Sequence, residues 1–233
     1  MPSDQFPKWD YNEYPKTLSP DDFWGQVRRT VYGKPVSEEQ IQMMVDAIIA
    51  GLELQRSSVL LDIGCGNAAL AARLFSVCDQ CLGVDSSEYL IAVANTHFAS
   101  PRHTFICQDA VDYAINEPDP LRFDKLLCFG VFAYLSDISA QQLLVILNQR
   151  FLNISSLFIG SIPDPRYAAT FFKDCDLAEA DLVNPRSQIG VWRSRDQMSQ
   201  MAGQAGWRIR FQSMPREFYQ SHYRYNAVLK RSV

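Results

Sequence analysis

Residues 59–63 read Val-Leu-Leu-Asp-Ile, and Gly64-Cys65-Gly66-Asn67-Ala68 follows without a break. A short apolar run that stops in a glycine-punctuated turn and re-emerges as a helix is the opening unit of a parallel α/β sheet. Four further runs repeat it: CLGVD (81–85), HTFIC (103–107), KLLCFG (125–130) and LFIGSI (157–162). Helices are expected between them, over about 67–77, 88–98 and 110–115, and from a cap at Ser139 to Phe151. Strands spaced by helices of that size imply right-handed crossovers. The ends of the chain depart from this rhythm. Ser19-Pro20-Asp21-Asp22 opens a helix to about Val31, and Ser37-Glu38-Glu39-Gln40 is a capping box for a helix stopped at Gly51. Residues 163–193 are proline-broken, with no clear strand. Ser194-Arg195-Asp196-Gln197 caps another helix, closed by Gly206. WRIRFQS (207–213) and HYRYNAVLK (222–230) are then joined by a loop too short for a crossover, so they pair antiparallel.

The bulk properties narrow the class. At 233 residues, 47% hydrophobic and 21% charged, the chain can bury the core of one large α/β domain. A formal net charge of −4 argues against a dedicated nucleic-acid surface, and no polybasic anchor occurs. No stretch reaches 18 apolar residues, and the opening MPSDQFPKWDYNEYP is polar, so neither membrane insertion nor a signal peptide is expected and the reading is cytoplasmic. Of six cysteines (65, 78, 81, 107, 128, 175), Cys78 and Cys81 have the spacing of half a zinc site. No second pair follows, so reduced thiols and no metal are expected.

The glycine turn admits two chemistries. Gly64-Cys65-Gly66-Asn67-Ala68-Ala69 satisfies the dinucleotide pattern, with Asp85 about 20 residues on, and a turn entering a helix offers N–H groups to a diphosphate. Asp62 counts against that, because a carboxylate two residues before the first glycine repels an anion. A cationic ammonium reverses the sign.

With Gly83-Val84-Asp85-Ser86-Ser87 and Cys107-Gln108-Asp109-Ala110, this motif resembles the class I S-adenosylmethionine-dependent methyltransferases over residues 55–230. The resemblance implies a Rossmann-like seven-stranded, mostly parallel sheet of order 3-2-1-4-5-7-6 with strand 7 antiparallel, helices on both faces and an N-terminal helical cap. One domain would then comprise the cap (1–54), a cofactor core (55–162), an acceptor-side insert (163–193), and a helix with the terminal hairpin (194–233). S-adenosyl-L-methionine is the implied cofactor. Asp62, Gly64, Cys65 and Gly66 would surround its methionine end, and Asp85 and Ser86 its ribose. Asp109 and Ala110 would meet the adenine, with Arg29, Phe129 and Gly130 completing the set. Ala68 replaces the family's third glycine and is expected to suit the helix.

The fourth-strand edge, Cys128-Phe129-Gly130-Val131-Phe132-Ala133-Tyr134, lacks the Asn/Asp-Pro-Pro-Tyr of amide and adenine-amino methylases. It also lacks the Pro-Cys of pyrimidine methylases and the aspartate of metal-assisted catechol methylation. A small-molecule acceptor follows, methylated on a hydroxyl or amine, without metal or nucleic acid. Trp24, Tyr32, Phe132, Asp164, Arg166, Tyr219 and Tyr223 are its expected lining, with His222 as base and Tyr134 as a second catalytic candidate. Trp24-Gly25-Gln26-Val27-Arg28-Arg29 with Gly33-Lys34-Pro35 is similar to methyltransferases of bacterial glycan and polysaccharide biosynthesis, which points to a sugar or glycan precursor. A nicotinamide-dependent oxidoreductase and a non-catalytic binding protein stand as alternatives.

Overall fold

The computed structural model describes residues 11–173 and 179–231. Its centre is a seven-stranded sheet. A one-turn helix α1 (Phe23–Gln26) and a two-residue hairpin, β1 (Thr30–Val31) with β2 (Lys34–Pro35), precede the long helix α2 (Glu38–Leu52). The core then runs β3 (Val59–Ile63), α3 (Ala69–Ala72), β4 (Gln80–Asp85), α4 (Glu88–His97), β5 (His103–Cys107), α5 (Ala110–Asn116), β6 (Lys125–Phe129), α6 (Asp137–Arg150) and β7 (Ser156–Pro163). Short helices α7 (Ala168–Phe171) and α8 (Glu179–Leu182) lead to α9 (Arg195–Gln204), β8 (Trp207–Gln212) and β9 (Arg224–Arg231).

The strand order is β5-β4-β3-β6-β7-β9-β8. Counting the strands of this sheet alone, that is the expected 3-2-1-4-5-7-6, with β9 antiparallel to both β7 and β8. Period-2 alternation divides the core. Leu61 and Ile63 of β3 face α5, α6 and α9, whereas Leu60 of β3 and Leu127 of β6 face α2, α3 and α4. By the same alternation Asp62 lies on the face of Leu60. The parallel register sets Asp62 opposite Gly83, so β3 and β4 release their carboxyl ends side by side.

Several helix ends differ from expectation. The first helix lasts one turn, because Asp22 rather than Ser19 caps it, accepting from Gly25 N at 2.9 Å, and Arg28 then turns into the left-handed region at φ 55°. Ser37 occupies the N-cap of α2 without a side-chain cap bond, and Ser136, not Ser139, caps α6. Gly51 lies inside α2, where the Phe158 ring fills the space a side chain would take. At Ser194 the capping box forms as expected. The largest departure is α3, which begins only at Ala69. Ala68 is its N-cap at φ 63°, a conformation that favours glycine, so the alanine carries strain instead of serving the helix.

A buried amide pair seats the cap on the glycine turn. Asn67 Nδ2 donates to Phe23 O (2.8 Å) and Gln26 Oε1 (2.9 Å), while Gln26 Nε2 donates to Ser19 O and Pro20 O, both at 3.0 Å. Phe23 packs on His97 and Phe98 at the end of α4. Asn67→Ala strands these buried partners and should lower stability by about 1–3 kcal/mol in urea denaturation. Amide exchange should rise chiefly in α1; an unchanged midpoint would show that this clamp contributes nothing.

Candidate active site

A cavity of about 320 Å³ opens at the carboxyl edge of β3, β4 and β6. The glycine turn forms its floor, and the amides of that turn are already engaged. Gly64 N and Cys65 N both donate to Val84 O, at 2.7 and 3.1 Å, and Gly66 N donates to Asp85 Oδ2 at 2.9 Å. Asp85 Oδ1 accepts from Ser87 N at 2.9 Å. The turn therefore presents the cavity with a carboxylate rather than a cradle of free N–H groups. The four-residue α3 adds little dipole to offset this. Burial pushes the Asp85 carboxyl up, and the amides of Ser87 and Gly66 hold it back down. Each Asp85 oxygen keeps a lone pair for an incoming hydroxyl. Gly64 is required here: its φ is 74°, and a side chain would collide with Val131.

Asp62 does not line the cavity. It is 3% exposed, beneath the floor, and burial raises its carboxyl to about 7. The guanidinium of Arg29 opposes that rise, and Asp85 reinforces it. Arg29 itself lines the cavity, 5.3 Å from the centre of the Phe129 ring and 5.9 Å from that of Trp24. Burial lowers the Arg29 guanidinium, countered mainly by Tyr219 and Asp62. Trp24 thus positions Arg29 from behind instead of lining the acceptor space.

The opposite wall comes from distant segments. Tyr134 follows β6, Ser161 lies in β7, and Tyr219, Gln220, Tyr223 and Arg224 lead into β9. The described residues of 163–193 pack as a small layer around Ala168, Phe172, Trp192 and Tyr223, and bring Gln188 and Ile189 to the cavity. The fully buried Arg193 pins this layer, donating to Phe132 O, Leu135 O and Asp137. Tyr11 crosses the opening: Ser87 Oγ donates to Tyr11 O at 2.8 Å, and Tyr11 OH donates to Tyr134 OH at 3.3 Å.

Of the residues expected from sequence, the cavity gathers Arg29, Gly64, Cys65, Gly66, Asp85, Ser86, Phe129, Gly130, Tyr134, Tyr219 and Tyr223. Others lie elsewhere. Asp109 is exposed and caps α5, its Oδ1 accepting from Val111 N and Asp112 N, and neither it nor Ala110 reaches the lining. Tyr32 is fully exposed at the hairpin tip, where it and Gly33 share positive φ, as a tight turn of this type demands. Phe132 is buried in the core under Arg193. Asp164 is buried and bonded to Arg166, whose side chain points to solvent. His222 falls in an exposed turn, because β9 starts two residues later, and it does not border the cavity. Missing from the expectation were Tyr11, Ser161 and Arg224. An arginine between two tyrosines at the mouth of an apolar strand was the one available signal. Five cysteines are unpaired, and Cys175 lies outside the described residues.

Residues 60–149 match the family model described as a methyltransferase domain. An uncharacterised methyltransferase of Schizosaccharomyces pombe is 22% identical over 166 residues, which are 57% of this chain and 57% of that protein. Among solved structures, the cyclopropane synthase MmaA2 of Mycobacterium tuberculosis superposes with a TM-score of 0.68 at 16% identity, covering 98% of this chain and 100% of that one. Magnesium protoporphyrin IX methyltransferase from Synechocystis PCC 6803, solved with S-adenosylhomocysteine, gives 0.60 at 19% identity, covering 83% of each chain. Over residues 60–149 the chain is thus similar to a methyltransferase domain, and its fold is the one these solved structures share.

The buried acid makes a pH prediction. Folded Asp62 holds its proton to about pH 7, whereas the unfolded carboxyl releases it near 3.8, so stability falls as pH rises between those values. Relative to Asp62→Asn, the ligand-free wild type should lose on the order of 2–4 kcal/mol from pH 5 to pH 8. Melting curves of both proteins across that range test this; a difference independent of pH would mean that Arg29 fully neutralises the acid.

Proposed function

We propose that the protein transfers a methyl group from S-adenosylmethionine to a hydroxyl or amine of a small molecule, without a metal, as one domain. The observation that carries this is the state of the glycine turn. Its amides are spent on Val84 and Asp85, which disfavours a diphosphate and leaves a carboxylate suited to a pair of ribose hydroxyls. Arg29, beside Phe129 and the turn, suits the carboxylate of an aminoacyl tail. When bound, the cofactor would supply an electrophilic sulfonium methyl, with Arg29 and Asp85 as the residues that would hold its two ends.

The chain's own contribution is then placement and exclusion of water. Holding acceptor and methyl in line accounts for about 7–11 kcal/mol in favourable cases. Tyr134, whose hydroxyl also bonds Gln188 O at 3.3 Å, is the group proposed to orient the acceptor atom. His222 is not carried forward as a base. The proposal of a metal-free reaction rests on the acceptor wall, which is built of tyrosines, amides and arginine rather than paired carboxylates. The two solved relatives carry names of different chemistry on one fold, so the acceptor is read from this wall alone. The net charge of −4 supports a small molecule over a nucleic acid, and the Trp24–Arg29 segment supports a sugar or glycan precursor. Unpaired thiols support a reducing compartment such as the cytoplasm.

Calorimetry with S-adenosylhomocysteine should give micromolar binding, and a nicotinamide dinucleotide none; the reverse would overturn the proposal. Asp85→Asn, which keeps one acceptor oxygen and turns an NH2 group toward one of the two amides Asp85 holds, should weaken the nucleoside by about 1.5–3 kcal/mol and also lower the melting temperature. Unchanged affinity would remove Asp85 from the binding role.

A further inference from the structure

The acceptor half holds a half-buried cation without a counter-charge. Arg224 opens β9 opposite Pro163 and turns its guanidinium back over Ser161. Nη1 donates to Ser161 O at 2.5 Å and to Ser161 Oγ at 3.2 Å. Its Nε is buried with no hydrogen-bond partner. The charged and titratable neighbours that act on it are phenols, those of Tyr223, Tyr134 and Tyr219, and no ion pair engages it among the described residues. An arginine removed from water without a carboxylate or phosphate is costly, so something must repay its burial when the site is in use.

The backbone beneath it is also held under strain. Ser161 has φ 65° in the middle of a strand, at an irregularity in the β7–β9 register between Ile159 and Ile162. A non-glycine residue stays in that conformation only where its surroundings fix it, and such strain collects at ligand sites. Here Asn226 Oδ1 accepts from Ser161 N at 2.9 Å, and Ser161 Oγ donates to Gln220 Oε1 at 2.9 Å. Asn226 is itself 2% exposed. The result is a fixed shelf that holds Arg224 in the cavity wall, among the tyrosines that share it.

The cofactor's own groups do not account for this cation. Arg29 stands against Phe129 at the end of β6 and Asp85 closes β4, whereas Arg224 opens β9, beyond β7 in the sheet order. Arg28, Arg29 and Arg224 line the cavity against the single carboxylate of Asp85, in a chain whose formal charge is −4.

We propose that the methyl acceptor is anionic, and that its carboxylate or phosphate seats on the guanidinium of Arg224 while Tyr134, Tyr219 and Tyr223 flank its body. This rests on the assignment of the acceptor half made above. Arg224 is then a specificity residue: it anchors the acceptor and leaves the cofactor untouched.

Ligand-observed NMR on the protein saturated with S-adenosylhomocysteine tests it, using benzoate and phenyl phosphate as anionic probes and benzyl alcohol as their neutral counterpart. At least one anion should bind the wild type, and which one binds tells carboxylate from phosphate. Arg224→Gln should weaken that anion about tenfold or more, as expected for loss of a charge-assisted pair. Arg224→Lys, which keeps the charge but not the planar fork, should fall between. Benzyl alcohol should bind all three proteins alike, and affinity for S-adenosylhomocysteine should stay unchanged. Should Arg224→Gln fail to fold, the lysine variant still decides, since wild-type-like anion affinity would deny the fork its role. The proposal is overturned if benzyl alcohol binds the wild type as well as the anions do, if neither anion binds, or if both variants bind them as the wild type does. Failure of S-adenosylhomocysteine to bind the wild type would instead overturn the methyltransferase reading, so the two outcomes are separable.

Discussion

Everything at the glycine-turn side of the cavity depends on the last two residues of β4. Val84 O takes the amides of Gly64 and Cys65, and the Asp85 carboxylate takes those of Gly66 and Ser87. These four bonds lock the turn after β3 onto the end of the neighbouring strand and spend the donors that would otherwise attract an anion. Because a charged acceptor strengthens such bonds, the carboxylate acts as both a structural joint and a recognition surface. The sign of the pocket floor is set there.

Around that joint the charges are divided. Asp85 and the buried Asp62 gather at the turn, with Arg29 wedged beside them, and Arg224 holds the far wall among phenols. Desolvation dominates each of these shifts: it raises the two acids and lowers Arg29. In so dry a site each charge acts strongly on whatever enters, which is the condition under which a few side chains can set specificity.

The strands and their order were legible in the sequence because the signals are local and repeated. Five apolar runs alternate with helical spacers, and two further runs after them are too close together for a crossover, which leaves few topologies. The glycines, Asp85 and Ser86 were legible because motif and strand end coincide. What escaped has physical reasons. Asp109 resembled a binding acid but caps a helix, a role the same residue type fills equally well. Tyr32, Phe132 and His222 were placed by proximity in sequence, yet a tight hairpin, a buried cation and a two-residue shift of strand onset send them elsewhere. Ser161 and Arg224 could not be read, because their meaning lies in a left-handed strand residue and in a pairing between segments some 60 residues apart.

Tyr11 gives the cleft one further property. Its carbonyl is held by Ser87 on one bank and its hydroxyl reaches Tyr134 on the other. Its main chain is thereby tied to the N-cap of α4 and its side chain to the wall after β6, so whatever enters the cleft passes a residue moored at two points.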